Sequence, residues 1–97
     1  MRNSPQILIK GRTGAEMTDQ ERFRLSVFYG NVLRHWQYVH YQFYADALDE
    51  EMWLGQRNYF AMVLSQDIGL VAHWRSTQAH YSTRFNKLMQ SIVTQAE

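Results

Sequence analysis

Ninety-seven residues suit one domain with one core, since a chain of this size buries roughly 60 to 65% of its unfolded surface. Hydrophobic residues make up 45% of the chain and aromatic residues 14%, enough for a packed interior, while a net charge of +1 excludes a protein-wide field that would steer it to nucleic acid or anionic lipid. The absence of cysteine excludes disulfides, thiolate catalysis and cysteine-ligated zinc, and no uncharged run reaches the roughly 18 apolar residues that span a bilayer.

Residues 1–17 read as an extended or partly disordered arm, with the only proline, the short run Ile7-Leu8-Ile9 and the turn cluster Gly11-Arg12-Thr13-Gly14. With no second strand signal to pair with, Ile7–Ile9 is expected to dock on helices or stay unstructured. The segment also lacks the apolar stretch of a signal peptide. Residues 18–97 read as a single helical domain. Thr18-Asp19-Gln20-Glu21 has the form of a capping box, so a long helix is predicted from Asp19 to about Ala47, on the order of 43 Å. Leu25, Phe28, Val32, Trp36, Val39, Phe43 and Ala47 recur at helical spacing as its expected core stripe. Gly30 within it predicts a close helix crossing or a bend.

Asp49, followed by Glu50 and Glu51, caps a second helix to about Gln66, with Trp53, Phe60 and Leu64 inward and Met52, Tyr59 and Val63 beside them. Asp67 caps a shorter third helix to about Ala79, carrying Ile68, Val71, Ala72 and Trp74. Ser82 caps a fourth, with Phe85, Leu88, Met89, Ile92 and Val93 on one side. The predicted fold is all-α, a bundle of about four helices with one long helix in its N-terminal half.

Few residues suggest chemistry. His73 and His80 are seven apart and can share a helix face, whereas His35 and His40 are five apart and diverge by about 140°. The HxxxH pair of a helical zinc site and the Glu-x-x-His element of di-iron bundles are both missing, so no metal or cofactor is expected. Asp46, Asp49, Glu50 and Glu51 form the densest acidic group, and capping with dipole compensation accounts for them. Ser26, Ser65, Ser76 and Ser82 lack a nucleophile context, and Gly11–Gly14 lacks the Lys-Ser/Thr of a phosphate loop. No catalytic residue is assigned. Arg2, Lys10, Arg12, Arg22 and Arg24 are interleaved with acids and without aromatics in the arm, so no nucleic-acid partner is expected.

The segment Arg34–Leu48 stands apart. It carries Trp36, Tyr38, Tyr41, Phe43 and Tyr44 with His35 and His40, and it is apolar on more than one side of the helix. Val27, Arg34, Tyr38, Tyr41 and Ala45 fall away from the core stripe, and Tyr and Arg are enriched at interfaces because they combine contact area with a polar handle. These five residues are the predicted contact surface, for a second copy or another protein, with coverage by the N-terminal arm of the same chain as the alternative. The competing reading is a small-ligand-binding protein or enzyme whose pocket is lined by aromatics with His40, His73 or His80.

Taken in order, Thr18 to Arg24, the helix ending in His40-Tyr41-Gln42-Phe43-Tyr44, Leu48 to Trp53, Ile68-Gly69 with Trp74, and Tyr81-Ser82 with Phe85 resemble a family of uncharacterised small bacterial helical proteins. The resemblance runs from about Met17 to Val93. It implies an all-α domain that commonly follows a membrane-anchoring helix, so this segment would be the soluble, cytoplasmic part of an anchored protein. It implies no activity, substrate or site residue.

Overall fold

The computed structural model describes residues 17–96. The expectations for the arm, including Ile7–Ile9 and the Gly11–Gly14 turn, fall outside the described residues. Four α-helices account for most of the rest, namely α1 (Asp19–Tyr44), α2 (Glu50–Gln66), α3 (Ile68–Ser76) and α4 (Thr83–Ala96), with a 3-10 turn at Gln78–His80 before α4. Among the described residues there is no strand, and no helix is long and apolar enough to cross a membrane.

Each helix begins where a short polar side chain can satisfy its free N–H groups. Thr18 Oγ1 accepts from Glu21 N–H while Glu21 Oε1 accepts from Thr18 N–H, which is the complete capping box. Asp49 accepts from Met52 N–H at 2.8 Å, Asp67 from Leu70 N–H at 3.0 Å and Ser82 from Phe85 N–H at 3.1 Å. Two helices end earlier than their apolar periodicity predicts, and in both cases local hydrogen bonding is the reason. α1 stops at Tyr44 because Asp46 adopts φ 61, with Ala47 N–H bonded to Gln42 O and Asp46 N–H to Phe43 O. That pair of bonds is a Schellman closure, and it leaves Ala47 outside the helix and exposed. α3 stops at Ser76 because the hydroxyls of Ser76 and Thr77 both donate to the His73 carbonyl, at 2.9 and 2.8 Å, in competition with the helical ladder.

The core face of α1 is Leu25, Tyr29, Leu33, Trp36, Val39 and His40, rotated from the predicted stripe, with Phe28, Val32 and Phe43 half-buried at its margins. α3 causes the rotation. It draws in Tyr29, whose hydroxyl donates to the buried Asp67 carboxylate at 2.7 Å and whose ring lies 5.7 Å from that of His73. Trp53, Phe60 and Leu64 of α2 are buried as predicted, but Met52 and Tyr59 are exposed. On α3, Leu70 and Trp74 fill the core while Ile68 and Ala72 face solvent. Phe85, Met89, Ile92 and Val93 complete it from α4.

Aromatic contacts join the layers. Trp36 stacks on Phe60 at 4.2 Å, and His40 and Phe43 both stack on Trp53 at 5.1 Å. Trp74 Nε1 donates to Asn86 Oδ1 at 2.9 Å, and Asn86 Nδ2 to the Gln78 carbonyl, pinning the 3-10 turn to α4. α2 packs along α4 and against α1 and α3, whereas α1 and α4 do not pack closely along their lengths. Among the described residues Gly30 marks no helix crossing, since a methyl group there would meet only the Arg34 guanidinium among them, at 3.7 Å.

Candidate functional site

The predicted contact surface lies on the solvent side of α1. Tyr38 and Tyr41 are each 59% exposed and Val27 is 39% exposed. Arg34 stands between them along the helix and donates to Asn31 Oδ1 at 3.3 Å. Ala45 is exposed too, but it is the C-cap of α1, so it borders the surface at the helix end.

Because α1 and α4 stay apart, a cleft of about 690 Å³ opens between them, lined by Arg34, Gln37, Tyr38, His40, Tyr41, Ser82 and Arg84. It brings Arg34, Tyr38 and Tyr41 together and adds residues that sequence reasoning missed. Gln37 Oε1 accepts from Ser82 N–H at 2.8 Å, tying the start of α4 to the middle of α1. The Arg84 guanidinium lies over the Tyr44 ring, 3.7 Å from its centroid, a cation–π contact that holds it beside the cleft. Arg84 had one local signal in the sequence: a cation in the first turn after a Ser cap opposes the helix macrodipole.

His40 closes the floor of this cleft at 6% exposure, with Tyr44 edge-on at 5.4 Å and Trp53 stacked against it. Burial, and then the charge of Arg84, hold its pKa below the ordinary 6.5. The imidazole is therefore neutral at pH 7. Neither ring nitrogen has a hydrogen-bond partner among the described residues.

The other two histidines of interest meet elsewhere. His73 is on α3 and His80 in the 3-10 turn, so they share no helix face, yet both line a smaller cleft of about 220 Å³ with Val27, Gly30, Arg34 and Tyr81. Burial lowers the His73 pKa, and His80 and Arg34 lower it further. His35 is exposed on α1 and lines neither cleft. Among the described residues, no three His, Asp or Glu side chains gather in a way that could hold a metal ion. An apolar groove of about 660 Å³, lined among others by Leu64, Ile68, Val71 and Val93, contains none of the sequence-predicted site residues.

Asp49 and Asp67 are engaged as helix caps, Glu50 and Glu51 sit in the first turn of α2, and Asp46 occupies the left-handed position after α1. Comparison of the chain with protein-family models, curated proteins and solved structures finds no match.

Proposed function

We propose that this chain is a non-enzymatic association domain that pairs with a second copy of itself through the outer face of α1, burying Tyr38 and Tyr41. The observation that carries the reading is the exposure of both rings, beside Arg34 and Val27, on a helix whose opposite side already supplies the core. Large aromatics on a surface position favour burial against a partner, where each contributes area at small entropic cost.

Charge supports a second copy as the occupant. A two-fold pairing is self-complementary, so two α1 helices crossing antiparallel at Tyr38–Tyr41 would set Arg34 of each opposite the Ala45–Asp46 end of the other. Arg34 is a cation and Asp46 an exposed carboxylate at a helix C-terminus, where the macrodipole disfavours it. The antiparallel pair would offset both costs. Asp49, Glu50 and Glu51, just beyond, extend the acidic end.

Sedimentation velocity over a wide concentration range tests this directly. The wild-type chain should dimerise, and the Tyr38→Glu, Tyr41→Glu double variant should stay monomeric with an unchanged circular dichroism spectrum. Arg34→Glu and Asp46→Arg should each weaken the dimer, and their combination should restore much of it. A wild-type chain that is monomeric throughout overturns the reading.

A further inference from the structure

We propose that the cleft between α1 and the start of α4 is a phosphate-binding site, in which Arg84, Arg34 and the first free N–H groups of α4 hold the anion against His40. This inference shares Arg34, Tyr38 and Tyr41 with the association face but rests on His40, Arg84 and α4, which that reading does not use.

Four observations converge on an anion. First, His40 is a polar ring more than nine-tenths buried, it lines the cleft, and it has no hydrogen-bond partner among the described residues. A buried polar group without a partner is costly, and such sites are commonly completed by a ligand or water. Second, the charge around it is of one sign. An adjoining hollow of about 560 Å³ shares His40 and Arg84 and adds Lys87, and no carboxylate lines either space among the described residues. Arg34, Arg84 and Lys87 form no ion pair with a carboxylate among those residues.

Third, α4 is a 14-residue helix whose N-terminus abuts the cleft. Ser82 Oγ already accepts from Phe85 N–H, which leaves the N–H groups of Thr83 and Arg84 without an intrahelical acceptor. Its first turn has no acidic side chain, so the positive end of its macrodipole is uncompensated. Fourth, the site is held in place. Gln37 fixes the Ser82 N–H and Tyr44 supports the Arg84 guanidinium, so little order is lost at these two on binding, while the Arg34 guanidinium, held by Asn31, would swing in from one turn away. Burial first, and the charge of Arg84 second, hold the His40 pKa down, which places Arg84 near enough to act on the imidazole. A neutral imidazole would donate one N–H to a phosphate oxygen, while Arg84 would supply a two-pronged contact.

Phosphate is favoured over a carboxylate because two guanidiniums and a helix N-terminus exceed what one negative charge needs. The cleft is open enough for a phosphate ester, whose organic part would lie along Tyr38 and Tyr41.

The full chain is titrated with inorganic phosphate and with phenyl phosphate at constant ionic strength, following the His40 ring and the Thr83 and Arg84 amides by NMR. Binding to vesicles containing phosphatidic acid, against phosphatidylcholine alone, is measured in parallel. Saturable shifts at those three residues, weakened tenfold or more by Arg84→Gln and also by Arg34→Gln, support the site and assign it to soluble phosphates. Tighter binding of phenyl phosphate would place the organic part on the tyrosines. Vesicle binding that is lost in Arg84→Gln, without any response to the soluble ligands, supports the same phosphate chemistry and assigns it to a lipid headgroup. Shifts that sodium chloride reproduces, or binding of all three probes that neither substitution alters, would overturn the proposal, as would the absence of any response.

Discussion

The two sides of α1 carry the same kinds of residue in opposite environments. Trp36, Val39 and His40 face inward, where Trp36 stacks on Phe60 and His40 on Trp53. Tyr38 and Tyr41, one to three positions away along the same helix, face solvent. Aromatic content alone therefore decides little about a residue's role here. What separates the two sides is whether another helix lies opposite, and α2 and α3 lie opposite only one. The inner side holds the fold together, and among the described residues the outer side has neither α2 nor α3 packed on it.

Truncation should break this symmetry most sharply. Trp36→Ala removes a large side chain at 4% exposure together with its stacking partner's contact, and a loss of about 3–5 kcal/mol is expected. For a domain of this size, with roughly 5–15 kcal/mol in all, that approaches unfolding. Tyr41→Ala, on the outer side, should change stability by less than about 0.5 kcal/mol. Urea melts of the two variants at a concentration low enough to keep the chain monomeric make the comparison. Equal losses would mean that Tyr41 is covered within one chain.

How far the sequence foretold this architecture depends on which interactions are local. All four helix starts were legible, because Thr18, Asp49, Asp67 and Ser82 each act within three residues of themselves. The inward residues of α4 were legible too, since it presents one clear apolar stripe, and Trp53, Phe60 and Leu64 of α2 were legible although Met52 and Tyr59 beside them are exposed. α1 was harder because it is apolar on two sides, and the bond that holds Tyr29 inward reaches Asp67 at the start of α3, 38 positions away, where no local pattern of α1 encodes it. The cleft was legible in part. Arg34, Tyr38 and Tyr41 follow from helical periodicity, but Ser82 and Arg84 join them from α4, through a bond from Ser82 to Gln37 that spans 45 positions and that no local pattern encodes.

A smaller effect sharpens the inner side of the comparison. Tyr29 is the one inward ring of α1 whose polar end reaches a carboxylate, donating to Asp67 Oδ1, which also caps α3. Tyr29→Phe keeps the ring and its packing but removes that donor. A loss of about 1–2 kcal/mol is expected, since the bond is buried and its acceptor is charged. Thermal melts of Tyr29→Phe would show it as a decrease of several degrees. No change would indicate that Asp67 is held fully by its remaining contacts and that α3 does not depend on α1 for its position.

The smallest expected effect comes from protons, and it again separates inside from outside. Burial holds the pKa of His40 below its ordinary 6.5, with Arg84 adding to the shift, and burial is also the first cause of the lowering at His73. In both cases the unfolded chain binds the proton more readily than the folded one. The stability these rings permit is therefore complete above about pH 6.5, falls as pH drops through the unfolded pKa, and levels off once the folded pKa is passed. Melts from about pH 7.5 down to about pH 5.5, above the range where carboxylates titrate, should show that decline. His40→Gln should flatten it in part, whatever it does to stability at pH 7.5, since the slope and not the level reports the proton. Arg84→Gln should remove only the lesser share, because burial under Trp53, Tyr44 and Phe85 is the larger cause and survives the substitution. A slope that fell as far in Arg84→Gln as in His40→Gln would instead show that His40 is governed by the charge across the cleft and not by the core beneath it.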